Sequence, residues 1–400
     1  MNVLILGSGG REHALAWSIA KSEHCEQLYV APGNAGTHGV AQNVAIAPIE
    51  FLKIKEFVEK KDIHLVIVGP EASLVAGIKD FFEEANLKDV QVLGPDKAAA
   101  MLEGSKDFAK QFMQENKIPT AAYKTFTADT VENGKVFLDS LQPPYVLKAD
   151  GLAGGKGVLI LSNLQEAKNQ LDEMLTHKKF GNAAQQVVIE EFLDGTEMSI
   201  FVLTDGQDYK ILPTAKDYKR VSDGDTGLNT GGMGAISPNL LADEQLIKKV
   251  ESQIIQPTLQ GLKNRNYDYK GFIFLGLMII ESEPYVIEYN VRLGDPETQA
   301  ILPRIKTDLL SLLDKTAKGQ LAGTDLKITD DFTATLVLAS GGYPGSYKKG
   351  EEISGLDTVG SNSIIFHAGT QLLNNKTVTS GGRVLAVTSQ SADLKTAIED

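Results

Sequence analysis

Residues 285–299, YVIEYNVRLGDPETQ, constrain this chain more than any other segment. Their β-branched and aromatic residues predict a strand. Side chains two apart share one face of a strand, so Glu288, Asn290 and Arg292 are predicted to project together, with Ile287 on the opposite face. Carboxylate and amide oxygens suit Mg²⁺, and arginine pairs with anions. The segment therefore predicts a site for a metal-bound polyphosphate, with a solvent-facing polar strand as the alternative.

Composition narrows the class of protein. The chain has 400 residues with 39 basic and 52 acidic side chains, a formal charge of −13, which argues against a general nucleic-acid or anionic-membrane surface. The single cysteine, Cys25, excludes an internal disulfide framework and fits a reducing compartment. The apolar start, MNVLILGSGG, is too short for a signal peptide, and the apolar run 271–280 is shorter than the ~20 residues of a membrane span. We expect a cytoplasmic, soluble protein of several structural units.

The N-terminal residues predict a parallel sheet, because short apolar strands alternate with helical segments up to about residue 85. Gly7–Gly10 lies between the first strand and the first helix, where helix N-termini bind anions. The loops 32–37 and 69–71 follow strands, at the edge where open α/β sheets bind ligands. A dinucleotide site is disfavoured, because Glu12 occupies the third glycine position of the fingerprint and the second strand ends without an acidic residue. These loops predict a small phosphate-bearing ligand.

Two glycine-rich segments predict further binding elements. Residues 148–157, KADGLAGGKG, are not a P-loop, but a hairpin with Lys148 and Lys156 suits phosphates, the alternative being a flexible turn with surface lysines. In residues 215–235, charged side chains precede a glycine-rich stretch, and Asp217, Lys219 and Arg220 are predicted to hold an anionic or amino-acid substrate. Asn229–Gly234 is predicted to be a loop with free amides, the alternative being a disordered linker. The histidines have no metal-site spacing and no nucleophile elbow occurs, so neither zinc binding nor covalent catalysis is supported.

Residues 187–193 are an apolar strand that runs into two carboxylates. They suit an adenine and its ribose, and equally a strand end with solvated charges. Further strands at about 123–126, 144–150, 158–161 and 186–190 predict a second, smaller unit, and strands after residue 319 predict a β-rich C-terminal unit.

A series of motifs runs through the whole chain in order: GSGGREHA, PGNAGT, GPE, LEGSKDFAKQFM, IPTA, LKADGLAGGKGV, IEEFLDGTEMS, DGDTGLNTGGMGA, IEYNVRLGDPETQ, SGGYPG, FHAGT and SGGRVL. Together they resemble the phosphoribosylamine–glycine ligase (glycinamide ribonucleotide synthetase) family of ATP-grasp enzymes. The resemblance implies an α/β (α+β) multidomain fold. Its units are an N-terminal Rossmann-like parallel-sheet domain (1–103), an ATP-grasp domain (104–122 and 191–325), a mobile ATP lid (123–190) and a C-terminal β-rich domain (326–400).

The resemblance also implies a reaction in purine biosynthesis. ATP phosphorylates the carboxylate of glycine, and the amine of 5-phosphoribosylamine attacks the glycyl phosphate, giving glycinamide ribonucleotide, ADP and phosphate. The enzyme would be a ligase that forms a C–N bond and depends on Mg²⁺ or Mn²⁺. Its partners would be these small molecules, with no nucleic acid or membrane, and we expect a monomer.

Motif positions imply roles for individual residues. The metal ligands would be Glu288 and Asn290. ATP would be bound by Lys106, Lys148, Gly154, Gly155, Lys156, Gly157, Glu190, Glu191, Phe192, Leu193 and Glu197. Phosphoribosylamine and glycine would be bound by Gly9, Gly10, Arg11, Glu12, Asn34, Gly36, Thr37, Glu71, Gly231, Gly232 and Asp295. The catalytic residues would be Arg292, Asp217 and Lys219.

The chain departs from the family pattern in two places. Lys216 and Tyr218 stand where the family has Gln and His, which predicts tuned rather than lost activity. The stretch 272–280, FIFLGLMII, lacks the metal-binding carboxylate found there in many ATP-grasp enzymes. The sequence therefore does not decide whether a second metal site exists. The alternative functions are another ATP-grasp carboxylate–amine ligase of purine metabolism and a non-catalytic ATP-binding module. The presence of Lys148, Glu288, Asn290 and Arg292 argues against the second.

Overall fold

The N-terminal part of the protein is a parallel sheet. The computed structural model describes residues 1–400 except 88, 155, 225, 359 and 361. Strands pair in the order β3-β2-β1-β4-β5, all parallel, as the alternating pattern predicted. The elements are β1 (Asn2–Gly7), α1 (Gly10–Ile19), β2 (Gln27–Pro32), β3 (Gln42–Asn43), α2 (Phe51–Lys61), β4 (Leu65–Val68), α3 (Glu71–Val75), α4 (Ile78–Glu84), β5 (Gln91–Pro95), α5 (Lys97–Gly104) and α6 (Lys106–Glu115).

Helix boundaries in this part follow capping chemistry. Gly77, with φ +86°, separates α3 from α4, so the single helix that the apolar pattern suggests over residues 73–85 is two. Asp96 and Ser105 accept hydrogen bonds from the first turns of α5 and α6. Residues 94–119 therefore contain two capped helices and the end of a strand.

Residues 123–190 form a four-stranded antiparallel sheet with its own core. The strand order is β6-β9-β7-β8, and the two helices pack their apolar faces on it. The glycine-rich hairpin 150–157 joins two neighbouring strands at one end of this sheet. The elements are β6 (Tyr123–Thr127), α7 (Val131–Asp139), β7 (Tyr145–Ala149), β8 (Val158–Leu161), α8 (Leu164–Leu175) and β9 (Gln186–Glu190).

The central part extends the N-terminal sheet to nine strands. Tyr269 and Lys270 at the start of β14 pair with the end of β5, and the rest of β14 pairs with β10 and β15. The elements are β10 (Thr196–Thr204), β11 (Tyr209–Ile211), β12 (Lys216–Ser222), β13 (Thr226–Ser237), α9 (Glu244–Val250), α10 (Gln256–Asn264), β14 (Tyr269–Ile280), β15 (Glu283–Asn290), α11 (Glu297–Ile301) and α12 (Leu309–Ala317), with Glu251–Ile255 joining α9 and α10 as a wider helical turn.

A bulge in β15 changes the predicted faces of that strand. Opposite β14, Gly276 pairs with Glu288 and Leu277 pairs with Val286, so Ile287 has no partner in the ladder. Val286 is fully buried in the core with Tyr289, whereas Ile287 and Glu288 line one cavity. The prediction that Ile287 lies opposite Glu288 is therefore wrong, because strict alternation does not hold across a bulge.

The C-terminal part is β-rich, as predicted. Its five-stranded sheet has the order β12-β13-β16-β20-β17. The long hairpin of β12 and β13 thus belongs to this sheet, which corrects the prediction of a loop at Asn229–Gly234. The register jumps from the pair Tyr218–Gly234 to the pair Arg220–Asn229, so residues 230–233 leave the ladder. The elements are β16 (Phe332–Ala339), β17 (Ser363–His367), β18 (Thr370–Leu373), β19 (Lys376–Thr379), β20 (Arg383–Ser391) and α13 (Leu394–Glu399).

Among the described helices, none has the length and apolar character that a bilayer span requires.

Candidate active site

The candidate site has two halves that meet at the end of β15. We call one half the lysine cleft, which consists of Lys106, Lys148, Lys219, Glu190, Glu288, Asn290 and Arg292. We call the other half the glycine-turn corner, which consists of Gly9–Glu12, Asn34–Thr37 and Asp295.

Glu288 is the centre of the lysine cleft. It lies half-buried beside Gly276, where an added Cβ would come within 3.0 Å of the Glu288 Cγ. Burial raises the pKa of its carboxyl, but nearby lysines and Arg292 outweigh this and hold the pKa below its ordinary value. Glu288 makes no hydrogen bond or ion pair with any residue that the structure describes. It is an ionised carboxylate among cations, free to bind a ligand.

Arg292 is held by carboxylates from the N-terminal part. Its Nη2 lies 2.7 Å from Glu103 Oε1 and donates to Asn290 Oδ1 at 3.0 Å, and its Nε lies 3.4 Å from Glu71 Oε2. The second oxygen of Glu103 accepts from the backbone N–H of Val291 at 2.8 Å. Burial raises the pKa of Glu103. Glu103 thus fixes both the guanidinium and the strand end that carries Asn290.

Glu190 is shared by two lysines on the floor of the cleft. Its Oε2 lies 2.9 Å from Lys148 Nζ and 3.1 Å from Lys110 Nζ, while its Oε1 is buried without a hydrogen-bond partner in the described part of the chain. Lys148 also donates to the Ile287 carbonyl, at 3.2 Å, which the bulge leaves outside the ladder. Burial lowers the pKa of Lys110 to about 8, although Glu190 opposes the shift. The free oxygen of Glu190 is an acceptor for a ligand.

The remaining residues predicted to bind ATP are less tightly grouped. Lys106 Nζ lies 3.4 Å from the Gly151 carbonyl, and burial lowers its pKa. Lys156 is exposed on the hairpin, and no described contact joins it to the cleft. Glu191 is exposed and bonded to Ala122 at 2.8 Å. The other members are exposed Gly154 and Glu197, half-buried Phe192 and Leu193, buried Gly157, and Gly155, which lies outside the described residues.

Asp217 and Lys219 project from β12 into the cleft. Lys219 Nζ lies 3.3 Å from Glu197 Oε2 and 3.8 Å from Asp217 Oδ2. Burial and the neighbouring carboxylates raise the pKa of Asp217. Burial, together with Asp217, also raises the pKa of Glu297, to about 8. The cleft therefore holds carboxyl groups of both high and low proton affinity around one lysine.

The two residues that depart from the family pattern lie beside this group. Tyr218 is 43% exposed, and Lys216 Nζ lies 5.3 Å from its ring centre. Arg220, predicted to help hold an anionic substrate, instead donates to the Gly227 carbonyl at 2.9 Å in the exposed part of the hairpin. The structure brings Asp217 and Lys219 into the cleft and leaves Arg220 outside it.

The glycine turn of the corner is the segment Gly9–Glu12. The Glu12 carboxylate accepts from the Gly9 N–H at 2.5 Å and from Arg11 Nε at 2.7 Å. The Arg11 backbone N–H donates to Asp295 Oδ2 at 3.0 Å, and its guanidinium donates to the Leu293 carbonyl at 2.8 Å. An added Cβ at Gly10 would collide with Gln299. The N-terminal turn is thereby bonded directly to the segment that follows Glu288.

Asn34 organises the second loop of the corner. Its Oδ1 accepts from the N–H groups of Gly36 and Thr37 at 2.9 and 3.0 Å, and its Nδ2 donates to the Ser8 carbonyl at 2.9 Å and the His367 carbonyl at 2.8 Å. This is an Asx turn with an additional bond to the C-terminal sheet. Hydrogen bonds within the protein therefore fix the conformation of this loop.

Two histidines join the corner to the C-terminal sheet. The backbone N–H of His367 donates to His13 Nδ1 at 2.8 Å. Burial, and to a lesser degree His367, lower the pKa of His13 to about 3. His13 is therefore a neutral acceptor at physiological pH.

Residues 230–233 meet the turn at Asp295. Gly232 has φ +112°, and an added Cβ there would collide with Pro296. The Gly231 N–H donates to the Tyr343 hydroxyl at 3.1 Å, and its carbonyl accepts from Arg383 Nη1 at 2.6 Å. Gly231 and Gly232 are thus brought to Asp295 through the C-terminal sheet.

Sequence reasoning assigned no role to four residues that touch predicted site residues: Glu103, Lys110, Arg383 and His13. Each lies inside one of the motifs that carry the family resemblance. Their partners are distant in the chain, so local pattern does not reveal them. No group of three or more His, Cys, Asp or Glu residues within the described ranges is placed to hold a metal ion.

Three family models match the chain. They are the phosphoribosylglycinamide synthetase N domain over residues 1–103, its ATP-grasp (A) domain over 104–298 and its C domain over 333–400.

Full-length relatives are similar to the chain. The phosphoribosylamine–glycine ligase of Pasteurella multocida is 46% identical over 97% of this chain and 90% of its own length, and that of Vibrio cholerae is 47% identical over the same shares. The bifunctional purine biosynthetic protein of Pichia angusta is 45% identical over all of this chain, which spans 51% of that protein.

Solved structures agree with this relationship. The phosphoribosylamine–glycine ligase of Thermotoga maritima superimposes with a TM-score of 0.86 at 35% identity, covering 100% of this chain and 95% of that one. The biotin carboxylase–ATP complex of Campylobacter jejuni has a TM-score of 0.72 at 16% identity, covering 100% and 89%, which shows a shared fold. The predicted multidomain α/β ATP-grasp fold is confirmed.

Proposed function

The chain belongs to the phosphoribosylglycinamide synthetase family, and we propose that it ligates glycine to 5-phosphoribosylamine at the expense of ATP. A glycine carboxylate oxygen attacks the γ-phosphorus of ATP, and ADP leaves. The amine nitrogen then attacks the carbonyl carbon of glycyl phosphate, loses a proton, and displaces phosphate. The product is glycinamide ribonucleotide, an intermediate of purine biosynthesis.

The observation that carries this proposal is the environment of Glu288. Lys106, Lys148, Lys219 and Arg292 surround an ionised carboxylate that no described side chain neutralises directly. A metal-bound polyphosphate presents several anionic oxygens to these four cations at once. The transfer then depends on positioning and charge neutralisation, without a protein nucleophile.

We assign the lysine cleft to ATP and the corner to phosphoribosylamine. Lys106, Lys148 and Lys156 bind phosphates, and the free oxygen of Glu190 with the segment 191–193 and Glu197 binds adenine and ribose. In the corner, which Glu71 adjoins, the N–H groups of Gly10 and Glu12 in the first turn of α1 have no acceptor among the described residues and suit the phosphate of the amine substrate. Arg292, Asp217 and Lys219, with residues 231–232, hold glycine and the transferred phosphoryl group. Asp295 lies where the corner meets them and contacts both substrates.

Glu288 and Asn290 fit a divalent cation. Glu288 is ionised and makes no hydrogen bond with described residues, and Asn290 Oδ1, which accepts from Arg292 at 3.0 Å, has a second lone pair for a metal ion. Two oxygen donors leave the other positions of Mg²⁺ or Mn²⁺ to phosphate oxygens and water. A bound ion of this kind bridges phosphates and offsets their charge.

We propose that residues 123–190 move as a lid. This four-stranded unit has its own core, and its exposed hairpin carries Lys156. Rotation of the unit toward the cleft brings Lys156 to the phosphates. The domain limits 1–103, 104–122 with 191–325, 123–190 and 326–400, a monomeric state and a cytoplasmic location remain part of this proposal.

The test is ADP release with phosphoribosylamine formed in situ from ribose 5-phosphate and ammonia. We expect ADP and glycinamide ribonucleotide, identified by mass, only when glycine, the amine mixture and Mg²⁺ are all present. ADP formation with another acid or amine would contradict the substrate assignment and favour a different ATP-grasp ligase. Tight ATP binding without turnover on any substrate would favour the non-catalytic alternative.

A further inference from the structure

Arg383 reaches the active site from the C-terminal sheet. It begins β20, and its Nη1 donates to the carbonyls of Asp295 and Gly231, each at 2.6 Å. Its Nη2 lies 3.2 Å from Asp295 Oδ1. A guanidinium is the side chain whose fixed fork can serve several oxygens in one plane. One residue thus bonds two segments that the candidate site needs and that lie far apart in the chain.

Asp295, which binds Arg383, also binds the N-terminal part. Its Oδ2 accepts from the Arg11 N–H at 3.0 Å, and its Oδ1 also accepts from Gln299 at 3.0 Å. Burial raises the pKa of Asp295, but Arg383 and Arg11 outweigh burial and keep the carboxyl ionised. A continuous chain of bonds therefore runs from β20 through Asp295 to the glycine turn.

The glycine-rich stretch packs directly on the guanidinium. An added Cβ at Gly231 would lie 3.1 Å from Arg383 Cζ, and one at Gly232 would collide with Pro296. The stretch is fixed between the arginine and the turn, so its position depends on both.

We propose that Arg383 is a positioning residue that sets the distance between the acyl-phosphate half and the amine half of the site. This inference rests on the proposed function. When the amine attacks, a C–N bond forms, the C–O bond to phosphate breaks, and the amine loses a proton. When water attacks instead, glycine and phosphate form, and ATP is consumed without product.

Attack by the amine and attack by water differ in how accurately the reacting groups must be aligned. A displacement of about 1 Å between reacting groups costs on the order of 100-fold in rate. Attack by water needs no bound partner, so it does not suffer in the same way. Loss of Arg383 therefore reduces amide formation more than it reduces ATP cleavage.

The experiment compares ADP and glycinamide ribonucleotide formed by the full chain and by Arg383→Gln, Arg383→Lys and Arg304→Lys. Arg304 is the matched control, because its guanidinium also donates to backbone carbonyls, those of Asp331 at 2.7 Å and Thr329 at 2.9 Å, away from the cleft. Arg304 is buried, whereas Arg383 is half-buried. The unmodified chain should give equal amounts of both products. For Arg383→Gln we expect the ratio of ADP to amide product to rise about fivefold or more, with Arg383→Lys intermediate.

The control variant should lower both products together or leave both unchanged. A ratio that stays at one in Arg383→Gln, while both rates fall, would show that Arg383 is merely structural. If Arg383→Gln does not fold, the ratio for Arg383→Lys decides in the same way. An unmodified chain that makes no glycinamide ribonucleotide would instead overturn the proposed function.

Discussion

The lysine cleft and the glycine-turn corner lie side by side but differ in how their polar atoms are satisfied. In the corner, side-chain oxygens of Glu12 and Asn34 accept hydrogen bonds from backbone N–H groups. In the cleft, Glu288 has no hydrogen bond with described residues, and Glu190 Oε1 and Asn290 Nδ2 are buried without partners there. An unpaired buried polar atom costs about 1–3 kcal/mol, so the cleft stores a cost that the corner does not.

This difference indicates which half of the site needs a ligand to satisfy its polar atoms. The cleft brings four cations together, and no described residue satisfies the acceptor oxygens of Glu288 and Glu190 Oε1 or the donor Asn290 Nδ2. A metal ion with a nucleotide polyphosphate supplies partners of both kinds. The corner is already bonded to the C-terminal sheet through Asn34 and His13. We infer that ATP completes the cleft, whereas the amine substrate enters a preformed loop with little rearrangement.

The largest effect that would sharpen the comparison is expected for Glu288→Gln. Removing the central carboxylate should lower turnover at least about 100-fold, because a ligand of the divalent cation that offsets the phosphate charge is lost. The free energy of unfolding, measured by urea denaturation, should change by about 1 kcal/mol, as for an unpaired polar side chain. Glu283→Gln, at the other end of the same strand and paired with Lys249 at 2.5 Å, is the control and should retain activity. Equal activities of the two variants would contradict the role of Glu288.

Asn34→Ala should lower stability more than it lowers turnover, the reverse of Glu288→Gln. It removes five side-chain hydrogen bonds, to Ser8, Gly9, Gly36, Thr37 and His367, so the free energy of unfolding should fall by about 3 kcal/mol. Turnover at saturating substrate should fall about tenfold or less, with a raised KM for phosphoribosylamine. A variant that keeps its stability but loses all turnover would break the distinction between a preformed corner and an incomplete cleft.

Acid should weaken the corner through His13. Its pKa is lowered from 6.5 to about 3, so below pH 6.5 the unfolded chain takes up a proton that the folded protein refuses. The stabilisation is present above pH 6.5 and is lost as the pH falls toward 3, at about 1.4 kcal/mol per pH unit. Urea midpoints at pH 7.5 and 5.0 should show this slope, and His13→Asn, which keeps an acceptor, should reduce it. An unchanged slope in the variant would exclude His13 as its source.

The smallest effect is expected for Tyr218→His, which restores the residue usual in the family. Tyr218 is 43% exposed and lies between Asp217 and Lys219 on β12, so alternation along the strand directs its ring to the other face. Turnover and the KM for glycine should change by about threefold or less, as for most exposed substitutions. A change of tenfold or more in either constant would place Tyr218 within the cleft.

The sequence predicted the alternating N-terminal strands, the strand at residue 285 and the β-rich C-terminal unit, because periodicity and turn residues are local signals. It did not predict that residues 226–237 form a strand, since glycine-rich strands lack a β pattern. Contacts such as Glu103 with Arg292, or Arg383 with Asp295, join residues far apart in the chain and leave no local trace. The family resemblance supplied the site residues, and the structure supplied what holds them.

The bulge at Ile287 makes the length of β15 as important as its composition. In the present register Val286 faces the core and Glu288 faces the cleft, although they are two residues apart. Deleting Ile287 would leave Val286 and Glu288 adjacent in a regular ladder, each on its present face, but it would remove the carbonyl that accepts from Lys148 at 3.2 Å. A change of side chain at position 287 leaves that carbonyl in place. The position should therefore tolerate exchange for other apolar residues but not a codon deletion, so a reading frame that stays intact can still lose a contact of the lysine cleft.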